Sequence, residues 1–438
     1  MTRPRGNGPR VGAGRLRLPA HRASSATLAG AYPFLAPAPM TTGVYIGPDA
    51  LTGEAFGFDP WALYGDGVVT NPNVALAGVI GQGKSALAKS LALRSISVGR
   101  RVYVPGDPKG EWAPLASAVD GTVIRLGPGL TTRLNPLDVA TRSRGTDTSN
   151  AAATLAAVCA VLLDRPLAPV EHGALDAALT TATTTAQPTL NAVVEALANP
   201  DDRDASHDHT TATTRAADGR DLVHALRRLT RGDLAGMFDG PSTHRFDDTS
   251  PMVVLDLSAV GFDDTALGVA MTCASAWLEA ALRLGATAGS GASPRGRWVV
   301  YDEAWRLMRS APLIARMQAQ WKLSRAYGIA NLLILHRLSD LDAVGAHGSQ
   351  ARALAEGLLA DCSTRVLYRQ EPDQLTATAR ALGLTASERD LLPLLGRGTG
   401  LWKIGTRSHL VHHRLHIDEL PLIDTDTAMR TAPRRGRR

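Results

Sequence analysis

Gly78-Val79-Ile80-Gly81-Gln82-Gly83-Lys84-Ser85 follows the apolar stretch 73–77 and leads into the helix-like segment 86–97. Strand, Gly-rich loop and helix in that order, with the spacing G-x-x-x-x-G-K-[ST], are what a phosphate-binding loop requires. Gly78, Gly81 and Gly83 let the backbone turn tightly, with the N–H groups of the stretch from Gln82 to Ala86 facing a polyphosphate. The positive end of the helix that starts near Lys84 adds to the same field. Lys84 is expected to reach the β- and γ-phosphates, and the Ser85 hydroxyl to take a place on Mg²⁺. A chance Gly-rich turn before a helix is the bland alternative, and a partner downstream argues against it.

That partner is Trp298-Val299-Val300-Tyr301-Asp302-Glu303. An apolar run ending in two carboxylates reads as a buried parallel strand delivering acids to its C-terminal edge. Asp302 is expected to hold Mg²⁺, directly or through water, and Glu303 to orient and polarise an attacking water. Adjacent strand residues point to opposite faces, which suggests different roles for the two acids. Without the phosphate loop the pair would read equally well as a solvated strand end.

A chain of 438 residues with 44% hydrophobic content has room for two or three domains and a large core. Its three cysteines (Cys159, Cys273, Cys362) lack metal or redox spacing, which points to a reducing compartment. The longest uncharged stretches, 149–163 and 265–278, fall short of the roughly 20 apolar residues that span a bilayer. No transmembrane segment or signal peptide is expected. The net charge of +6 is concentrated at the ends: six arginines and no acid in the first 48 residues, and five arginines in the last nine. Such tails suit nucleic acid or an anionic membrane surface, or are simply solvated ends. Lysine is scarce, which draws attention to Lys84 and Lys89 in the phosphate loop and its helix and to Lys109 in a second Gly/Pro-rich loop.

Apolar strand-like runs at 101–104, 121–126, 252–257, 297–301, 331–335 and 364–368 alternate with helix-like segments. This predicts an α/β fold with a mostly parallel sheet and helices on both faces. Between 141 and 244 the composition shifts to Ala and Thr, with helical apolar spacing at Leu155, Val158, Leu162 and at Leu222, Leu226, Leu229. We read an all-helical insertion there. It accounts for the 218 residues that separate Lys84 from Asp302. The expected division is a basic tail (1–40), a first core part (41–140), the insertion (141–244), a second core part (245–427) and a basic tail (428–438).

Other candidates remain open at this level. The strand 329–335 should neighbour the acid-bearing strand, so His336 or Arg337 either senses the γ-phosphate or caps the sheet edge. Arg325 is a candidate arginine finger for a neighbouring subunit, with Arg365 and Arg369 as rivals. His409 and His413 share one face of a late edge strand at 409–416, while His412 and His416 share the other, which argues against a joint metal site. Asp107-Pro108-Lys109-Gly110-Glu111-Trp112 follows a strand, where α/β proteins place ligand contacts. G-x-S-x-G, C-x-x-C and H-E-x-x-H are absent from the sequence.

Taken in order, GVIGQGKS, DPKGEW, RLNPLD (133–138), YDEAW (301–305) and LLGRGTGLW (394–402) resemble the motor domain of the VirB/TraC-type secretion and conjugation ATPases, in the HerA–FtsK superfamily. The resemblance covers residues 42–427. It implies a RecA-like P-loop NTPase core interrupted by an all-helical domain, with ATP and Mg²⁺ bound between subunits of a homo-oligomeric, hexameric ring. By position, Lys84 and Ser85 would bind phosphate and Mg²⁺, Asp302 would bind Mg²⁺, and Glu303 would be the catalytic acid. It further implies work on DNA or protein beside a membrane-embedded secretion or conjugation complex. The expected location is cytoplasmic, free or peripheral at the inner face of the membrane. The chain departs from the family in placing His336-Arg337 where Thr-Gln commonly ends the sensor strand. The family's large N-terminal domain has no counterpart ahead of residue 41. A DNA-pumping or coupling ATPase, and an ATP-dependent scaffold with little turnover, are the competing readings.

Overall fold

The computed structural model describes residues 40–138, 148–185, 187–202, 205, 209–244, 246–261, 263–287, 296–307, 310–336 and 350–423. Both basic tails and Arg337 lie outside the described residues. Two strands, β1 (Val44–Pro48) and β2 (Ala55–Phe58), form an antiparallel pair. A nine-stranded sheet comprises β3 (Val74–Ala77), β4 (Arg101–Asp107), β5 (Thr122–Arg125), β6 (Met252–Asp256), β7 (Arg297–Tyr301), β8 (Ile329–Leu335), β9 (Thr364–Leu367), β10 (Thr399–Ile404) and β11 (Arg407–His412). Its order is β11-β10-β9-β3-β8-β7-β4-β6-β5. From β9 to β5 all neighbours are parallel, and only β10 and β11 pair antiparallel at one edge.

The central strands are buried along their length, as near-continuous apolar runs require in a sheet covered on both faces. Their two-residue period splits the core into two layers. Ala75, Tyr103, Val299 and Leu333 face one cluster; Val74, Val102, Trp298 and Leu332 face the other. The second layer holds Leu87, Ala88 and Leu91 of the helix Lys84–Ser97. The first layer runs into the helices between β5 and β6, through Leu155, Val158, Leu222, Leu226 and Leu229, with Leu162 partly buried against them. The helical spacing read from the sequence thus marks residues buried in the same cluster as that sheet layer. Asn135 of the RLNPLD stretch ties this junction, donating to the Asp138 carboxylate at 3.0 Å and the Pro188 carbonyl at 2.9 Å.

The late edge strand is shorter than expected. It ends at His412, beyond which the His413 backbone N–H still donates to the Gly398 carbonyl. At the same edge, the buried Glu388 accepts from Lys403 Nζ at 2.9 Å, from the Thr385 N–H at 2.7 Å and from Ser408. Burial raises the Glu388 pKa, but these donors outweigh it and hold the carboxyl below its ordinary value. A lowered folded pKa gives stability that is present above the unfolded value, about 4.3, and is lost as pH falls through the folded one. Glu388→Gln is therefore expected to cost about 3 kcal/mol at pH 7, by leaving Lys403 without its counter-charge. In urea denaturation the gap from wild type should narrow below pH 4, and an equal gap at pH 3 and pH 7 would contradict this account.

Candidate nucleotide site

Sheet register brings the candidate residues together. In β3, Ala77 is level with Leu335 of β8, and in β7, Tyr301 is level with Leu333. The phosphate loop after β3 and the acid pair after β7 therefore flank the end of β8, where His336 stands.

The phosphate loop depends on its glycines. Gly81 and Gly83 have φ of 80° and 104°. A Cβ on Gly78 would lie 2.6 Å from the Tyr368 Cβ, so only glycine lets the loop pack on the end of β9. Gly83 caps the helix Lys84–Ser97 without any side-chain cap, which leaves the first N–H groups of that helix for a ligand. The loop is braced from behind: the Val79 N–H donates to the Arg369 carbonyl, and the Gly398 N–H to the Gln82 carbonyl. Lys84 is buried, and its Nζ donates to the carbonyls of Gly78 and Val79.

The acid pair is arranged differently from the expectation of strand alternation. Strand β7 ends at Tyr301, and Glu303 adopts a left-handed backbone with φ of 52°. That conformation is uncommon outside glycine and concentrates at functional sites. Asp302 turns toward the strand-β4 side, accepting from Trp112 Nε1 at 2.9 Å and from the Glu303 N–H at 2.9 Å. Burial pushes its carboxyl above the usual range. Glu303 turns toward β8. Its Oε1 pairs with Lys109 and lies 2.9 Å from His336 Nε2, and its Oε2 accepts from Trp305 Nε1 at 2.6 Å. Burial opposes its ionisation, but these three partners overcome it and hold the carboxyl at about 2.

The loop 107–112 is the centre of this arrangement. Asp107 accepts from the N–H groups of Glu111 and Trp112, Glu111 pairs with the fully buried Lys89 at 2.9 Å, and Trp112 reaches Asp302. Burial, reinforced by Asp256 and Asp302, pushes the Asp107 carboxyl up to about 6. The sequence marks this loop as a ligand position but gives Lys109, Trp112 and Trp305 no role. Its only signal is lysine scarcity beside a Gly/Pro-rich turn. Because the indole donor satisfies a buried carboxylate, Trp112→Phe is expected to cost about 2 kcal/mol in urea denaturation; a cost near zero would show that Asp302 does not depend on it.

A cavity of about 350 Å³ opens over the loop, lined by Gly81, Gly83, Lys84, Ser85, Ala86 and Lys109 among others, with Glu111, His336 and Arg397 at its polar side and Leu415, Leu420 and Ile423 at its apolar side. Volume and mixed lining suit a nucleotide. Mg²⁺ needs few protein oxygens beside water and phosphate; Ser85, which lines the cavity, and Asp302, just beyond the end of β7, are the residues that could supply them. Among the described residues no group of three or more His, Cys, Asp and Glu forms a metal cluster. Arg325 is not brought into the site. It is exposed, has no partner among the described residues, and precedes β8 at the opposite end of the strand from His336. Its rival Arg365 donates to the Leu382 carbonyl, and Arg369 is exposed. No helix of the described residues is long and apolar enough to cross a membrane.

These elements define a RecA-like P-loop NTPase fold: a mostly parallel sheet with the phosphate loop and the acid pair on strands separated by one other. By sequence, the chain matches no family model and none of the curated proteins compared with it. Its structure is similar to that of VirB4 of Thermoanaerobacter pseudethanolicus, with a TM-score of 0.69 and 23% identity, covering 87% of this chain and 100% of that one. It is also similar to the bacterial conjugative coupling protein TrwB lacking its N-terminal 70 residues, at a TM-score of 0.53 and 16% identity over 79% of this chain and 85% of that one. The plasmid coupling protein TrwB in complex with ADP and Mg²⁺ matches at a TM-score of 0.54 and 16% identity, over 78% of this chain and 85% of that one.

Proposed function

We propose that this protein is an ATP-hydrolysing motor of a conjugation or type IV secretion apparatus, coupling turnover to the transport of DNA or protein. The observation that carries the reading is the convergence of Lys84, Ser85, Asp302, Glu303 and His336 at the end of three adjacent strands. Lys84, Ser85 and the loop N–H groups bind and orient the phosphates. Ser85 and Asp302 would hold Mg²⁺, which would supply charge neutralisation on the phosphates. Glu303 orients the attacking water, and His336 positions Glu303 from the neighbouring strand rather than acting on phosphate by itself. Leu415, Leu420 and Ile423 offer an apolar wall for the base, and Arg397 a further cation for the phosphates. In this reading 141–244 is a helical domain inserted into a core formed by 41–140 and 245–427. Arg325 serves a neighbouring subunit of a ring, since it stands at the end of β8 opposite its own phosphate loop.

Likeness to both VirB4 and TrwB keeps a coupling-protein variant in view, in which the cargo is DNA alone. Steady-state phosphate release by the full chain, with and without single- and double-stranded DNA, tests the reading. Turnover that needs Mg²⁺ and is lost on chelation supports it, and stimulation by DNA favours the DNA-moving form. Nucleotide binding with no turnover in either condition favours an ATP-dependent scaffold instead.

A further inference from the structure

Lys109 stands between a carboxylate and the open cavity over the phosphate loop. Its ammonium pairs with Glu303 Oε1, yet its side chain is 51% exposed and lines the same cavity as Lys84 and Ser85. The loop that carries it is held by other residues: by Asp107 at its start, by Glu111 on Lys89, and by Trp112 on Asp302. The Lys109 side chain can therefore change partners without disturbing the loop. Glu303 is meanwhile engaged on both oxygens, its Oε1 by Lys109 and His336 and its Oε2 by Trp305. Three of its roughly four acceptor positions are thus taken, and Oε1 in particular has none left to hold a water in line with a phosphate.

We propose that Lys109 is a positioning residue that responds to the terminal phosphate: it holds Glu303 in reserve while no nucleoside triphosphate is bound, and moves its ammonium to the γ-phosphate when one is. The inference rests on the ATPase reading above. The exchange follows from charge, because a terminal phosphate carries more negative charge than one carboxylate and accepts through more oxygens. His336 and Trp305 keep Glu303 in place through the exchange, while Oε1 becomes available to the water. Lys84 is unsuited to this part, being buried and bound to its own loop carbonyls. A diphosphate stops short of Lys109 and leaves the Glu303 pair intact.

Calorimetric titration of the full chain with a non-hydrolysable ATP analogue and with ADP, each with Mg²⁺, tests the exchange in wild type, Lys109→Gln and Lys109→Arg. In Lys109→Gln the ratio of triphosphate to diphosphate affinity is expected to fall about tenfold, the scale of one charge-assisted hydrogen bond. ADP affinity should stay within about twofold, and Lys109→Arg should recover most of the ratio. An equal loss for both nucleotides, or an unchanged ratio, overturns the exchange and leaves Lys109 a structural partner of Glu303. A crystal structure with the analogue bound is expected to place Lys109 on the terminal phosphate, and Lys109 still on Glu303 would overturn the proposal directly. Wild-type protein that binds neither nucleotide would instead remove the ATPase reading, and this proposal with it.

Discussion

Glu303→Gln is expected to slow ATP turnover by about 10²- to 10⁴-fold while leaving nucleotide binding intact, the range that a positioned acid or base contributes to catalysis. The substitution keeps the volume of a residue that is only 6% exposed and is held in a left-handed backbone. What it removes is the negative charge that, in the proposed mechanism, orients the attacking water. The amide also meets a less suitable set of neighbours. Lys109 and Trp305 are donors on opposite oxygens of the carboxylate, and an NH₂ group must face one of them. The Lys84 loop shares none of these partners, so phosphate affinity should survive. Parallel measurement of phosphate release and of nucleotide binding separates the two effects. Turnover within tenfold of wild type would deny Glu303 its role, and lost binding would mean that the substitution disturbs the site as a whole.

His336 shows how far a one-dimensional pattern reaches. Its place after an apolar strand predicts a position beside the acid pair, and the register of β7, β8 and β3 puts it there. Its partner is less legible: the imidazole meets Glu303, a contact across 33 residues that depends on a left-handed turn at the acid itself. Alternation along a strand predicts opposite faces for Asp302 and Glu303, but both residues lie beyond the end of β7, where the strand period no longer applies. The Trp112–Asp302 contact joins residues 190 apart, and periodicity carries no trace of such pairs. The motif spacing and the apolar runs are local signals, and they identify the loop, the acids and the parallel strands. Side-chain pairing between loops depends on the closed sheet, so Lys109, Trp112 and Trp305 gain their roles only after the fold exists. Arg325 is the opposite case: its chemistry is plain in the sequence, and its location at the end of β8 opposite His336 keeps it away from the phosphate loop of its own chain.

Lys84→Ala is expected to lower affinity for ATP by about 100-fold or more and to abolish measurable turnover, since in the proposed reading the lysine serves both the loop and the phosphates. Its buried Nζ holds the carbonyls of Gly78 and Val79, so truncation leaves two inward-facing acceptors to be satisfied by water. It also removes a charge-assisted contact to phosphate in a partly desolvated site, where each such contact is worth most. Both losses fall on ATP and ADP alike, because the β-phosphate lies within reach of the same ammonium. Lys84→Arg separates buried geometry from charge. A planar guanidinium is larger than an ammonium and cannot converge its donors on two carbonyls of one tight loop, so the arginine variant is expected to bind nucleotide almost as poorly as the alanine variant. Lys109 makes the opposite demand: half exposed and on the open side of the cavity, it has room for arginine. Fluorescence titration with a labelled ADP should therefore find Lys84→Arg deficient and Lys109→Arg near wild type. Recovery of affinity in Lys84→Arg would show that positive charge alone suffices at this position, and that the contacts to Gly78 and Val79 do not shape the loop.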